Sequence, residues 1–243
     1  MVTQPIRIVP LHDGPAAAPA APVTFTYRGG PLLSAVEVVT AFWGADWLAT
    51  EKPLLTQLND FFLYALNSPL IDQLGEYSVP DKPIGHGSLG GTAVITDQEP
   101  GSSVSDAQIR SLIQAEMAKS NLPRANTNSL YFVFLPPGVD VDLGGQRSCS
   151  AFCGYHDSIG GTVYYAVVPY PGCSSCVGGL HVVDALTSSV SHELSEAITD
   201  PVPGQGWYDA VHGEIGDVCA WRTKKLGAWT VQREWSNQRR ACI

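Results

Sequence analysis

The sequence predicts an α+β fold, a mixed β-sheet with helices packed against it, in one continuous domain. Three observations predict it. The chain has 243 residues, of which 44 % are apolar and only 15 % charged, enough for a sizeable core and too apolar for a disordered chain. Short β-branched and aromatic runs alternate with longer segments whose apolar residues recur at intervals of three and four. No internal repeat interrupts this order.

The elements follow in sequence. Residues 1–28 read as a flexible tail, with Ala16 to Pro22 made only of Ala and Pro, and residues 29–243 as the domain. Val36 to Trp43 is a buried strand by composition. Leu54, Leu55, Leu58, Phe61, Phe62 and Leu66 repeat at helical spacing, and that helix stops near Pro69. Gly85 to Gly91 is Gly-rich without the lysine of a phosphate loop, and reads as a turn before a short strand at Thr92 to Thr96. Ser105 with Gln108 three residues on forms a capping-box pattern, and Ile109, Leu112, Ile113 and Met117 continue one helical face. Leu130 to Leu135 is a second buried strand closed by Pro136 and Pro137, and Thr162 to Val168 a third, ending at Pro169. Val183, Leu186, Val190, Leu194 and Ala197 then lie on one stripe of a late helix, which Pro201 ends at about Asp200.

The formal charge is -9, and no run of Lys or Arg exceeds a pair. Nucleic acid and anionic membrane are therefore excluded as expected partners. No apolar run has the length that crosses a bilayer. The six cysteines, Cys149, Cys153, Cys173, Cys176, Cys219 and Cys242, are an even number in an acidic, Gly- and Pro-rich chain, which points to an oxidising compartment. The favoured pairs are Cys149–Cys153, Cys173–Cys176 and Cys219–Cys242. A four-cysteine zinc site is disfavoured by the Ser and Gly that flank the first four. Met1 to Pro22 shows no basic start followed by an apolar stretch, so it gives no support for export.

The late helix carries the candidate chemistry. His192 and Glu196 are four residues apart, so both project from one face, one turn apart, and can grip a single ion. Glu193 is turned about 100° away, where a carboxylate can act as general base on metal-bound water. Glu196 stands where the related His-Glu-x-x-His pattern has its second histidine. A carboxylate still ligates zinc, and it makes calcium or manganese more plausible than a second histidine would. Three ionisable groups in so apolar a helix need partners. A second acidic motif, Gly213-Glu214-Ile215-Gly216-Asp217-Val218-Cys219, follows about twenty residues on and is the best source of a third ligand. Among the other residues, His156 could bind substrate or a second ion, with a structural histidine beside a disulfide the preferred reading. His212 reads as a surface-loop residue, and Trp207 with Tyr208 as a lid on the core.

Several segments resemble the phosphate-induced, EXORDIUM-like family of plants and its microbial relatives. They are Tyr27 to Leu33, Val38 to Trp47, Cys153-Gly154-Tyr155-His156, Val190 to Ala197, Trp207-Tyr208, Glu214 to Cys219 and Arg240-Ala241-Cys242. The resemblance implies an exported protein; its plant members are growth-related extracellular proteins without an assigned reaction. Asp200 departs from it, since plant members tend to carry Asn there, so Asp200 is set aside as a ligand. A looser resemblance links the site to gluzincin peptidases, in which a downstream Glu completes the metal site and an Asp orients the first His. Here Glu214 and Asp217 are the matching residues, one residue closer together, and the third ligand stays open between them. These readings together give the expected fold as zincin-like. They give the expected function as a zinc-dependent, exported metalloprotease of peptide or protein substrates, with Glu193 as base and His192, Glu196, Glu214 and Asp217 as ligand candidates. The alternative is a non-catalytic exported binding or signalling protein with a structural ion.

Overall fold

A computed structural model describes residues 8–12 and 22–243. Strands β1 (Ile8–Pro10), β2 (Ala35–Trp43), β3 (Gly85–Ile95), β4 (Ser129–Leu135), β5 (Phe152–Ile159) and β6 (Val163–Pro169) form one sheet in the order β1-β5-β6-β4-β2-β3. β6, β4, β2 and β3 are mutually parallel, whereas β5 runs antiparallel to β6 and to β1. Helices α1 (Lys52–Ala65), α2 (Pro69–Leu74), α3 (Asp106–Ala118), α4 (Ser174–Val177) and α5 (Val182–Thr199) complete the main frame. This is the α+β arrangement expected.

The sheet is covered on both faces. β4 at its centre is buried throughout, which is why it reads as a continuous apolar run rather than an alternating one. Its side chains still alternate. Leu130, Phe132 and Phe134 join Phe61 and Phe62 of α1 and Leu186, Val190 and Leu194 of α5 in one core. Tyr131, Val133 and Leu135 join Ile109, Leu112 and Ile113 of α3 in the other. Each fully buried Phe or Leu contributes about 1.5–3 kcal/mol relative to exposure, so these layers hold α5 against the sheet. The cap expected at Ser105 is present in both halves: Gln108 N–H donates to Ser105 Oγ at 3.3 Å, and Ser105 N–H to Gln108 Oε1 at 2.8 Å. Ser68 caps α2, whose first residue is Pro69.

Three expectations are corrected. Gly85 to Gly91 is not a turn but the first part of β3, paired with β2. A Cβ at Gly87 would lie 2.4 Å from the Val36 carbonyl oxygen, so a residue type typical of turns is what lets these two strands approach. The stretch read as a tail holds two pieces of the fold. Val9 of β1 pairs with Gly154, and Thr26–Tyr27 pairs with Trp207–Tyr208 over the buried Phe25. The remainder of that stretch, residues 1–7 and 13–21, lies outside the described residues.

The third correction concerns the cysteines. The bonds are Cys149–Cys173, Cys153–Cys176 and Cys219–Cys242, with Cα–Cα distances of 5.8, 5.4 and 5.7 Å. Only the last matches the expected pairing. Cys173 caps α4 and Cys176 lies three residues on, so both project to the same side of one turn. The neighbour on that side is the segment entering β5, and the two segments are riveted together instead of each closing on itself. All six cysteines are bonded in these three pairs.

Candidate metal centre

Helix α5 is buried on every side from Ala185 to Thr199. Its apolar stripe meets the sheet. Its small polar residues meet the hairpin of β7 (Thr223–Leu226) and β8 (Trp229–Gln232). Thr187 Oγ1 donates to the Thr230 carbonyl at 2.7 Å, and Gln232 N–H donates to Ser191 Oγ at 2.9 Å. Side chains at 192, 193 and 196 therefore cannot reach water and must meet groups supplied by the fold.

His192 Nε2 and Glu196 Oε1 lie 3.0 Å apart, both fully buried. Glu196 Oε1 also accepts the backbone N–H groups of Gly216 (3.2 Å) and Asp217 (3.1 Å). This brings the acidic loop hard against the helix. A Cβ at Gly216 would lie 2.8 Å from Glu196 Oε1 and 2.9 Å from His192 Nδ1. His192, Glu196 and Asp217 present donor atoms that all lie within 4.8 Å of one another.

Glu193 turns toward β5. His156 stands opposite Ala166 of β6, so strand alternation puts it on the α5 face of the sheet. Its Nδ1 is 2.9 Å from Glu193 Oε2 and 3.7 Å from Glu196 Oε2; its Nε2 is 3.4 Å from Glu214 Oε1 and 3.2 Å from the Asp200 carbonyl. His156, Glu193 and Glu196 form a second three-donor group. Gly154, two residues earlier on the same face, clears the approach: a Cβ there would lie 3.3 Å from Glu193 Oε1. Glu234, fully buried just beyond β8, borders the His192 side, where Gln232 Nε2 donates to its Oε2 at 3.5 Å.

The structure thus gathers His192, Glu193, Glu196, Glu214 and Asp217 around one helix face, with Asp217 beside His192 and Glu214 turned to His156. His156, read from the sequence as structural, is at the centre of the cluster. Glu234 was not foreseen. His156 carries a faint signal, a strand position two residues after a glycine, while Glu234 carries none. Asp200 borders the cluster beside Glu214 and His156, with its carboxylate accepting the N–H groups of Gly204, Gln205 and Gly206 at 2.5–3.0 Å. His212 bonds Asp209, away from the cluster.

The electrostatics are severe. Burial and neighbouring carboxylates push Glu214 well above the usual range, although His156 opposes this. Burial raises Glu193 as well. Glu234 is pushed up to about 8 by burial, with His192 opposing. For His156 and His192 burial pulls downward, but the carboxylates of Glu214 and Glu193, and of Glu196, outweigh it and hold both imidazoles well above the ordinary value. Even so, His192 Nδ1 and Nε2, Glu193 Oε1, Glu196 Oε2, both Glu214 oxygens and Glu234 Oε1 have no hydrogen-bond partner among the described residues. Unmatched buried ionisable groups cost several kcal/mol each. Donors converging on a zinc-sized ion at about 2.1 Å sit about 3–3.5 Å from each other without bonding one another. The His192–Glu196 contact, at 3.0 Å, has that spacing. Imidazole with carboxylate suits zinc, and the carboxylate excess also suits manganese or calcium.

Comparisons with known proteins bear on the family. No protein-family model matches the chain. Protein EXORDIUM-like 5 of Arabidopsis thaliana is 23 % identical over 237 residues, covering 81 % of this chain. The chain spans 64 % of the length of that relative. The similarity supports the EXORDIUM-like resemblance seen in the sequence.

Proposed function

We propose that the cluster on α5 holds a divalent cation, zinc in the first instance, in an exported hydrolase of metallopeptidase type acting on peptide or protein substrates. The observation that carries this reading is the convergence of buried histidine and carboxylate groups, several of whose atoms have no hydrogen-bond partner among the described residues. His192, Glu196 and Asp217 would hold the ion, with Glu214 close by. When bound, it would supply a Lewis acid for a carbonyl and an acidified water. Glu193 fits the part of base. Its Oε2 is held by His156 and its Oε1 is left to take a proton. Three disulfides and the EXORDIUM-like relative support export, and among the described residues no helix is long and apolar enough to cross a membrane.

The test is hydrolysis of unfolded proteins or peptide libraries. Activity should disappear with chelator and in Glu193→Gln. An activity that survives that substitution would remove Glu193 from the role of base.

One observation favours a second reading. His192, Glu193, Glu196 and Glu214 are all at 0 % exposure, as expected for a closed structural centre in a non-catalytic binding or signalling protein. Metal-loaded protein that hydrolyses no peptide, and that unfolds when stripped, would select this reading.

A further inference from the structure

We propose that the centre takes two divalent cations, with Glu196 as the ligand they share. This rests on the metal-centre reading above but not on its catalytic part.

Glu196 turns its two oxygens to different neighbours. Oε1 is 3.0 Å from His192 Nε2, whereas Oε2 is 3.7 Å from His156 Nδ1. The two three-donor groups, His192 with Glu196 and Asp217, and His156 with Glu193 and Glu196, have only Glu196 in common. The histidines come from different elements, one from α5 and one from β5. A carboxylate placed between two donor sets is the usual bridge of a two-metal site, whose ions stand about 3.5–4 Å apart.

The unmatched atoms divide the same way. A cation beside His192 would leave Glu193 Oε1 and Glu196 Oε2 without hydrogen-bond partners among the described residues. A cation beside His156 would leave His192 without one. All of these atoms belong to side chains at 0 % exposure and face into the cluster.

The experiment is a metal titration of chelator-stripped, refolded-checked full chain with Zn²⁺ and with Mn²⁺, read by calorimetry and by elemental analysis after desalting. Wild type should bind two equivalents. Mn²⁺-loaded wild type should show a spin-coupled electron paramagnetic resonance spectrum, which needs no variant and so is independent of folding defects. His156→Gln and His192→Gln should each keep one equivalent and give an uncoupled Mn²⁺ signal. One equivalent in wild type, with an uncoupled signal, would overturn the shared-ligand proposal and leave the single-ion reading standing. No bound metal in folded wild type would overturn both.

Discussion

Gly216 offers a direct way to disturb the centre without replacing a ligand. Its backbone lies in the ordinary right-handed region, φ -79°, so alanine is tolerated by the main chain and any effect comes from the added methyl. That methyl would sit 2.8 Å from Glu196 Oε1, 2.9 Å from His192 Nδ1 and 3.0 Å from His192 Cε1, inside normal contact distance for all three. Either the two side chains turn away or the loop carrying Glu214 and Asp217 lifts off α5. Overpacking of this kind costs about 1–3 kcal/mol. If the strain falls on the ligand set, cation affinity drops by about 10- to 100-fold, since each 1.4 kcal/mol is a factor of about ten. Gly172→Ala is the matched control, because a Cβ there meets nothing within 4 Å. Both variants should be compared with wild type by zinc titration and thermal unfolding. Unchanged affinity in Gly216→Ala, with the fold intact, would refute the claim that His192 and Glu196 grip the ion under this loop.

Other perturbations follow from the same geometry. Cys242→Ser frees a bond that closes 23 residues and should cost about 3 kcal/mol by the chain-entropy argument. Because Cys219 lies two residues beyond Asp217, this variant should also weaken metal binding more than an equally destabilising core substitution far from the centre. Equal affinities in titrations of the two folded variants would break that link. Non-reducing peptide mapping should recover Cys149 with Cys173 and Cys153 with Cys176, and Cys173→Ser should leave Cys149 alone as a free thiol; recovery of a Cys149–Cys153 peptide would contradict the fold around β5. Ser105→Ala removes a satisfied cap from α3 and should lower stability by about 1 kcal/mol in chemical denaturation, with metal affinity unchanged because α3 packs on the opposite face of the sheet. A parallel loss of metal affinity would show the two faces to be coupled.

How far the sequence led differs from element to element, for physical reasons. β2, β4, β6 and α5 were legible because each is buried on most sides and so carries an uninterrupted apolar run or stripe. β5 was not, because one of its faces is given over to the centre: Gly154 and His156 stand where a strand would ordinarily place large apolar residues. β3 was hidden in part because the glycines that allow its close pairing with β2 are the residues that mark turns elsewhere. The disulfides depended on which segments the fold lays side by side, and spacing along the chain does not contain that. At the centre, His192 and Glu196 were readable from helical periodicity, and Asp217 from the acidic loop. His156 and Glu234 reach it across the sheet and from the hairpin, with no fixed spacing to either motif.

The most direct measurement is the metal content of the natively purified, chelator-free chain, determined by elemental analysis beside Glu196→Gln prepared in the same way. The account predicts at least one equivalent of a divalent metal per wild-type chain, zinc first among the candidates, and little or none in the variant. Folded wild type with all three disulfides formed and no bound metal, before or after incubation with zinc, manganese or calcium, would contradict it.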